Sequence, residues 1–578
     1  MRKFIVYVIT ISLSSPVLSA GVGLGNLNID KSAIKSPADS LIIDRPSADR
    51  LKLPNFIPEK LPSFTLPPAE KALIPPESKN TVRIKLKGIK FTGNTVIDDE
   101  DLQKIAQPFI GKAILVTDLE ELRQQISQYY VQQGYVNSGA ILPEQQFKNG
   151  IITLQIIEGK LSEIRIQGTE WLAPSYISKR LYDDEEQVLD INQLRENFQL
   201  LLLDPLIERM NGSLIPSKQR GNSLLDVNVT RARPYQLTLT GDNYNPPSIG
   251  SEVGHLSGWV RNLTGFGDIV TGSVAYSEGL LGGSGGFSIP LNAYNTRFNF
   301  HFDRNDASIV EPTLRSLNIK SRYANYEFGL TQPLIQSLNR NLNMGVVFNF
   351  KKNQTSLLGK PFDFSEGASN GLSKDSVLRF SLDFTERLEH QVFSARSTTS
   401  VGINAFAPTW YRGQDIADGN FVSWLGQLQY VGQVFDTDAN LVLRGDAQYS
   451  DDKLMTLERF ALGGRYSVRG YRENELVRDK GYDVSAEVRY PLLKDEGENS
   501  FLGQLTIFPF VDYGAGQNRG DHTHIDYLYS VGAGLAWQPF EQVSTEIIYA
   551  HALKKIPAKA DFDLQDSGLE WRFNISAF

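Results

Sequence analysis

Between Gly463 and Tyr471 the chain reads Gly-Gly-Arg-Tyr-Ser-Val-Arg-Gly-Tyr. Apolar and polar residues alternate upstream of this stretch, in residues 439–449, and downstream of it, in residues 484–490. A period of two with one apolar face is typical of a β-strand. The connection between the two predicted strands, residues 451–480, is long and has no periodicity of its own, which is typical of a functional or a disordered loop. We therefore predict a glycine- and arginine-rich loop between two strands.

Composition excludes several classes of site. The chain has 578 residues, which predicts several domains. It contains no cysteine, so disulfides, Cys-ligated zinc and thiol nucleophiles are excluded. The net charge of −8 is spread along the chain, and proteins that bind nucleic acid are usually basic, so we expect no nucleic-acid partner.

Residues 1–20 have the pattern of a secretory signal peptide. Arg2 and Lys3 are followed by an apolar run over residues 4–13 and by a small residue, Ala20. The run is too short to span a bilayer as a helix. No later stretch is long and apolar enough for a transmembrane helix, so a place in a membrane would require a closed β-barrel.

Residues 21–80 form a proline-rich linker. Nine prolines between Pro37 and Pro76 prevent a long helix and favour an extended chain.

Two small α+β domains are predicted next, over residues 81–159 and 160–233. In the first, Thr117 and Glu120 have the spacing of a capping box. An apolar face follows along one helix, formed by Leu119, Leu122, Ile126 and Tyr129. In the second, Asp190 has the place of an N-cap for a helix that ends before Pro205.

Residues 234–578 contain sixteen strand candidates. Many alternate clearly, as in residues 297–302, where three phenylalanines alternate with Arg297, Asn299 and His301. An apolar face toward lipid and a polar lumen are typical of an outer-membrane barrel. A soluble β-sandwich or propeller is the alternative. The signal peptide, the even strand count and the absence of repeats favour the barrel.

The strand over residues 504–514 places a carboxylate in the lumen. By its phase, Val511 and Tyr513 face lipid, whereas Phe508, Phe510 and Asp512 face inward. A carboxylate in such surroundings needs a partner.

Several of these motifs together resemble one family. The sequence from Val468 to Tyr471, within residues 451–480, resembles the inward-folded loop motif of two-partner secretion transporters (TpsB type, the haemolysin-activator and filamentous-haemagglutinin transporter family). These belong to the superfamily in which periplasmic POTRA domains precede an outer-membrane barrel. Further segments resemble family motifs: residues 91–95, 134–137 and 156–159 in the first domain, 204–207 in the second, the tight turn 262–268, and the lumenal strand motif 510–514.

The resemblance implies a membrane β-barrel of sixteen antiparallel strands, preceded by two periplasmic α+β POTRA domains. It also implies that Arg469 in the loop pairs with Asp512. A guanidinium–carboxylate pair is often bidentate. The family motifs add Val468, Gly470 and Tyr471 in the loop and Phe510 and Gly514 in the strand. A plug region is a further possibility within residues 21–80.

The terminal Phe578 resembles the signal by which the barrel assembly machinery recognises outer-membrane proteins. Leu569, Trp571, Phe573 and Ile575 share one phase, and Phe578 falls on the other. A β-bulge near Ser576 would reconcile the two phases.

The functional hypothesis follows from the resemblance. We expect a transporter in the outer membrane of a Gram-negative bacterium that recognises an unfolded, β-rich exoprotein through its periplasmic domains. An exposed strand edge could accept such a chain as an added strand, and residues 161–203 are the predicted region. Export would proceed through the barrel without ATP. The client would be a large secreted β-helical protein such as a haemolysin, an adhesin, a haem-binding protein or a contact-dependent inhibition toxin.

Two other function classes are alternatives. An outer-membrane protein assembly factor of the same superfamily is the alternative, although such factors usually carry more POTRA domains. A passive porin does not explain the periplasmic domains. We see no catalytic constellation and expect neither an enzyme nor a cofactor. His522 and His524, with Asp521 and Asp526, could ligate a metal, but a solvated turn is the favoured interpretation.

Overall fold

The computed structural model describes residues 51, 83–146, 149–182, 187–411, 414–493, 502–520, 525–557 and 561–577. The predicted signal peptide, the linker apart from Leu51, the histidines His522 and His524, and the terminal Phe578 lie outside the described residues.

The first domain has two layers, a small sheet and a pair of helices. Its elements are β1 (Arg83–Lys85), β2 (Gly88–Thr92), α1 (Asp99–Ala106), β3 (Ala113–Leu115), α2 (Val116–Gln132), β4 (Gly139–Ile141) and β5 (Ile151–Ile157). The order in the main sheet is β2-β5-β4, with β2 and β5 parallel, while β1 pairs with β3. Helix α2 buries Leu119, Leu122, Ile126 and Tyr130 in the core.

The predicted capping box between Thr117 and Glu120 is wrong. Strand β3 runs directly into α2, so the helix already begins at Val116, with Leu115 as its N-cap. The Asp118 carboxylate accepts a hydrogen bond from the Leu115 backbone N–H at 2.7 Å. The apolar face is also shifted, because Tyr130 rather than Tyr129 completes it.

The second domain repeats this arrangement. Its elements are β6 (Leu161–Gln167), α3 (Pro174–Leu181), α4 (Ile191–Leu202), β7 (Ile207–Pro216) and β8 (Ser223–Arg231). The sheet order is β6-β8-β7. Asp190 caps α4 as predicted, since its side chain accepts a hydrogen bond from the Asn192 backbone N–H at 2.8 Å. Helix α3 was not predicted from the sequence, because eight residues that begin with proline show no clear helical periodicity.

Direct hydrogen bonds join the two domains. The Asn137 side chain donates to the Gly221 carbonyl at 2.9 Å, and the Ile191 backbone N–H donates to the Gly134 carbonyl at 3.0 Å. The second of these bonds joins backbone to backbone, so it restrains the orientation of one domain against the other.

A closed antiparallel barrel follows. Its strands and the short strands of its loops are β9 (Tyr235–Asp242), β10 (Val253–Arg261), β11 (Ile269–Tyr276), β12 (Leu280–Pro290), β13 (Arg297–Ser308), β14 (Lys320–Gln336), β15 (Arg340–Leu357), β16 (Lys360–Pro361), β17 (Leu372–Leu388), β18 (Gln391–Gly402), β19 (Val422–Gln433), β20 (Asn440–Ser450), β21 (Phe460–Leu462), β22 (Leu476–Arg478), β23 (Lys480–Leu493), β24 (Gln504–Gln517), β25 (Asp526–Phe540), β26 (Val543–Ala552) and β27 (Leu569–Ala577).

The wall of the barrel has sixteen strands, which confirms the prediction. Each pairs with its neighbour in the chain, and β27 closes the barrel against β9. The two-residue β16 only extends one end of β15, which pairs directly with β17, while β21 and β22 pair with each other. Single turns of 3-10 helix occur at Gln107–Phe109, Pro247–Ile249, Arg315–Leu317 and Leu564–Ser567.

The two faces of the wall differ in polarity. On β17, Phe380 and Leu382 are 47% and 49% exposed on the outer face, whereas Asp375 and Val377 on the inner face are fully buried. This alternation matches an apolar belt toward lipid and a polar, filled lumen. Among the helices of the described residues, none has both the length and the apolar character needed to cross a membrane.

Candidate functional site: a loop anchored inside the barrel

The loop over residues 451–480 folds into the lumen as a hairpin. Strands β21 and β22 pair antiparallel, with Phe460 opposite Arg478. Its apolar side chains pack against the barrel wall in a buried cluster that contains Leu425, Phe460, Leu462, Val468, Tyr471 and Leu528. The hairpin is therefore held by a small hydrophobic core of its own within a polar lumen.

Arg469 and Asp512, the pair predicted from the motifs, lie together in the structure. The Arg469 Nε donates to Asp512 Oδ2 at 2.8 Å and Nη2 donates to Oδ1 at 2.8 Å. The backbone N–H of Arg469 adds a third bond to Oδ2 at 3.1 Å. The guanidinium also donates to Glu487 at 2.9 Å and to Ser485 at 3.0 Å. Arg469 is 2% exposed and Asp512 1%.

The lumenal strand motif forms the surface on which the loop rests. The guanidinium carbon of Arg469 lies over the Phe510 ring, 3.3 Å from the ring centroid, in a cation–π contact. At Gly514, an added Cβ would lie 2.9 Å from the side chains of Leu462 and Val468. Only glycine therefore lets the loop core approach this strand.

Gly470 and Tyr471 fix the tip of the loop on the other side. Gly470 has φ of +87°, and a Cβ there would lie 2.9 Å from the Ala550 carbonyl oxygen on β26. The Tyr471 hydroxyl lies 2.9 Å from the Tyr529 carbonyl and 3.1 Å from the Lys554 carbonyl, and it accepts a hydrogen bond from the Lys554 backbone N–H at 3.0 Å. The phenol therefore bridges two wall segments.

Further ion pairs of the loop escaped the sequence reasoning. Arg465 pairs with Glu546 at 2.5 Å, and Arg472 pairs with Asp566 at 2.6 Å. Glu487, the second carboxylate bound to Arg469, lies on the inward phase of the alternating pattern in residues 484–490. That phase was the available signal, but the partner of an inward carboxylate depends on where the loop folds.

The predicted tight turn connects the barrel to the second domain. Within it, Asp268 accepts hydrogen bonds from the backbone N–H groups of Leu263 and Thr264, at 3.1 and 2.8 Å. Burial alone would raise the pKa of Asp268, but these bonds and one from the Thr264 hydroxyl hold it below its usual value. The turn carbonyl of Gly265 accepts from the Ala173 backbone N–H at 2.9 Å.

Leu51 is the single described residue of the proline-rich linker. Its carbonyl accepts a hydrogen bond from the side chain of Gln429, a buried inward-facing residue of β19. This contact places residue 51 inside the barrel lumen.

The predicted bulge near Ser576 is wrong. Strand β27 pairs with β9 in regular register from Arg572 to Ala577. Because six consecutive pairs close the barrel there, an extra residue would disrupt the seam.

Comparisons with known proteins identify the family. Residues 221–537 match the family model described as haemolysin secretion/activation protein ShlB/FhaC/HecB, and residues 84–159 match the ShlB-type POTRA domain. The chain belongs to the ShlB/FhaC/HecB family. Its barrel lies in the outer membrane, and its POTRA domains lie in the periplasm. This membership confirms the resemblance and favours the secretion transporter over the assembly factor.

Curated relatives are transporters of the same kind. The chain is 24% identical to the outer membrane transporter CdiB of Dickeya dadantii (strain 3937) over 74% of this chain and 75% of the relative. It is 23% identical to the heme/hemopexin transporter protein HuxB of Haemophilus influenzae (strain ATCC 51907 / DSM 11121 / KW20 / Rd), over 79% and 82%. The solved structure of CdiB from Escherichia coli shares the fold, with a TM-score of 0.68 at 19% identity over 87% of this chain and 93% of that one.

Proposed function

We propose that this protein exports one large, β-rich exoprotein through its barrel, and that the loop over residues 451–480 controls the passage. The observation that carries the proposal is the hairpin in the lumen, bonded to the wall by Arg469. A loop in this position obstructs the lumen, so an extended chain passes only when the loop moves.

The entry route supports the same proposal. A cavity of about 1200 Å³ lies between α3 and α4 of the second domain and the periplasmic turns of the barrel. Its wall is mixed, because the basic residues Arg180 and Arg387 line it together with apolar residues such as Leu203 and Leu334. An unfolded client delivered by the second domain would meet the lumen here. Capture by β-strand addition at a sheet edge needs main-chain bonds and little fixed sequence.

In this proposal the protein catalyses no reaction during export. The chain acts as a conduit and not as an enzyme. Among the described residues, no cluster of His, Cys, Asp and Glu has the geometry of a metal site. Directionality would come from diffusion and from folding of the client outside the cell, where a β-helix that has formed cannot return through the lumen.

Leu51 in the lumen supports a plug. We propose that Leu51 belongs to a plug region, that it contacts Gln429 in the lumen of the resting protein, and that this contact is lost during export. Barrel assembly machinery would insert the protein, with Phe578 as part of the recognised signal.

Co-expression in a heterologous host tests the export proposal. A large secreted β-helical protein encoded beside this gene is the candidate client. We expect it in the medium only when both proteins are made. Equal amounts in the medium without this transporter would overturn the assignment of that client.

A further inference from the structure

A second group of charges holds the loop on a different part of the wall. Glu458 lies near the start of the loop, two residues before β21, and is fully buried. The Arg379 Nη2 lies 2.8 Å from each of its carboxylate oxygens, and the Lys351 Nζ lies 3.4 Å from Oε1. Two cations from β15 and β17 therefore bind one loop carboxylate.

This contact is far around the barrel from Arg469. Three wall strands, β18, β19 and β20, separate β17 from β23 and β24, to which Arg469 is bonded. Apolar contacts accompany the charges: Leu454 packs with Val377 in one buried cluster, and Leu457 packs with Tyr323 in another. The start of the loop is thus fixed on one side of the lumen and its tip on another.

Asp375 lies beside the same cations. It is directly opposite Lys351 in the register of β15 and β17, on the inner face of the wall. Asp375 is fully buried, yet neither of its carboxylate oxygens has a hydrogen-bond partner among the described residues. A buried carboxylate without hydrogen bonds costs free energy. Asp375 would gain partners if it paired with these cations in another position of the loop.

We propose that Glu458 is a second anchor of the loop, and that Asp375 replaces it as the partner of Lys351 and Arg379 when the loop moves. The inference rests on the export function proposed above, because it assumes that the loop leaves the lumen. Withdrawal of Glu458 alone would remove the carboxylate that Lys351 and Arg379 share in this structure. With Asp375 already in place, the movement exchanges one carboxylate for another, and both positions of the loop have paired charges.

Channel recordings on the purified full-length protein in planar bilayers test both roles. Glu458→Gln preserves the shape of the side chain and removes its charge. We expect it to raise the fraction of time in the open state at least about tenfold, given the usual strength of hydrogen bonds to charged groups. Asp375→Asn should lower the open fraction, both alone and in the Glu458→Gln background, because the open state loses its acceptor.

The matched control is Glu366→Gln. Glu366 binds Lys453 of the same loop at 3.3 Å, but its side chain is 43% exposed, so its loss should leave the open fraction unchanged. An open fraction in Glu458→Gln equal to that of this control would overturn the second anchor. An unchanged or increased open fraction in Asp375→Asn would overturn the exchange of partners.

Two further measurements, recordings on Glu458→Asp and secretion from cells that lack the protein, separate the possible outcomes. If Glu458→Gln does not assemble, as shown by loss of heat-modifiable migration in gels, Glu458→Asp retains the charge with a shorter reach. It should give a smaller rise in the open fraction, and no rise would count against the anchor. The recordings require no client. A failure of the export proposal would therefore appear as unchanged secretion in cells that lack the protein, whatever the recordings show.

Discussion

Arg469 and Asp512 are 43 residues apart in the chain and are joined by three hydrogen bonds in the barrel lumen. Both side chains are almost fully buried, and Glu487 shares the guanidinium. Neither charge is tolerable there alone, because loss of one partner of a buried pair typically costs ~3–5 kcal/mol. The position of the loop therefore depends on the two-pronged contact between the Arg469 guanidinium and the Asp512 carboxylate.

Arg469→Ala should disconnect the loop tip from β24 and leave the Asp512 carboxylate buried without its partner, so the loop should no longer hold the position from which the proposed movement starts. We expect secretion of the client to fall at least about tenfold, a ratio that corresponds to ~1.4 kcal/mol. Arg469→Lys should restore little, because an ammonium is a point charge and cannot make the two-pronged contact. Immunoblots of the client in the medium measure the effect in cells with equal amounts of heat-modifiable barrel.

The control for Arg469 is Arg304→Ala. Arg304 also pairs with an aspartate, at 3.5 Å, but its side chain is 55% exposed. Exposed ion pairs contribute ~0–1 kcal/mol, so secretion should stay at the wild-type level. Normal secretion by Arg469→Ala would contradict the role of the pair.

Gly470→Ala should push the loop tip away from β26 and raise the conductance of the closed barrel. The new methyl group would lie 2.9 Å from the Ala550 carbonyl oxygen, in a backbone that already has positive φ. Gly520→Ala is the matched control, because Gly520 has φ of +86° with nothing within 4 Å of an added Cβ. Equal conductance of the two variants would show that the close approach at Gly470 is unimportant.

Tyr471→Phe removes the hydroxyl that bridges the Tyr529 and Lys554 backbones. Buried groups left without their partner cost ~1–3 kcal/mol each, so the loop should open locally more often. Hydrogen exchange measures this directly. We expect amides of residues 463–478 to exchange at least about fivefold faster, as ~1 kcal/mol would give, while amides of β13 exchange as in the wild type. Unchanged protection of the loop would mean that the hydroxyl adds nothing.

Gly267→Ala should displace the second POTRA domain from the barrel. A Cβ at Gly267 would lie 2.4 Å from the ring of Tyr176 in α3. Gly111→Ala is the control, since Gly111 has the same φ of +83° with open space around it. The chain contains no cysteine, so spin labels at Glu196→Cys and Asn339→Cys report one distance between domain and barrel. We expect a broader distance distribution in Gly267→Ala alone, and identical distributions would refute the contact.

The barrel was predictable because apolar and polar residues alternate along many of the wall strands. The phase of residues 504–514 already placed Phe510 and Asp512 in the lumen, and the structure buries both. Predictions from local sequence patterns failed where contacts in the folded protein determine where a helix begins. The start of α2 follows from the strand that leads into it, and the proline-initiated α3 is too short for a clear periodicity.

Some contacts of the loop could be predicted from the sequence, and others could not. Arg469 and Asp512 were found through motifs. Glu458 carries no such motif, and its partners Lys351 and Arg379 are more than 75 residues away in the chain. Their meeting depends on how the hairpin lies across the lumen, which no local pattern encodes. The same holds for Glu546 and Asp566, which pair with Arg465 and Arg472.

Depletion of this protein, followed by quantification of the medium and of the outer membrane, tests the export function most directly. A dedicated exporter predicts that one large exoprotein disappears from the medium while resident porins keep their wild-type amounts in the membrane. That result would also identify the client. A general fall of outer-membrane barrels, with porins among them, would contradict the exporter and indicate an assembly factor.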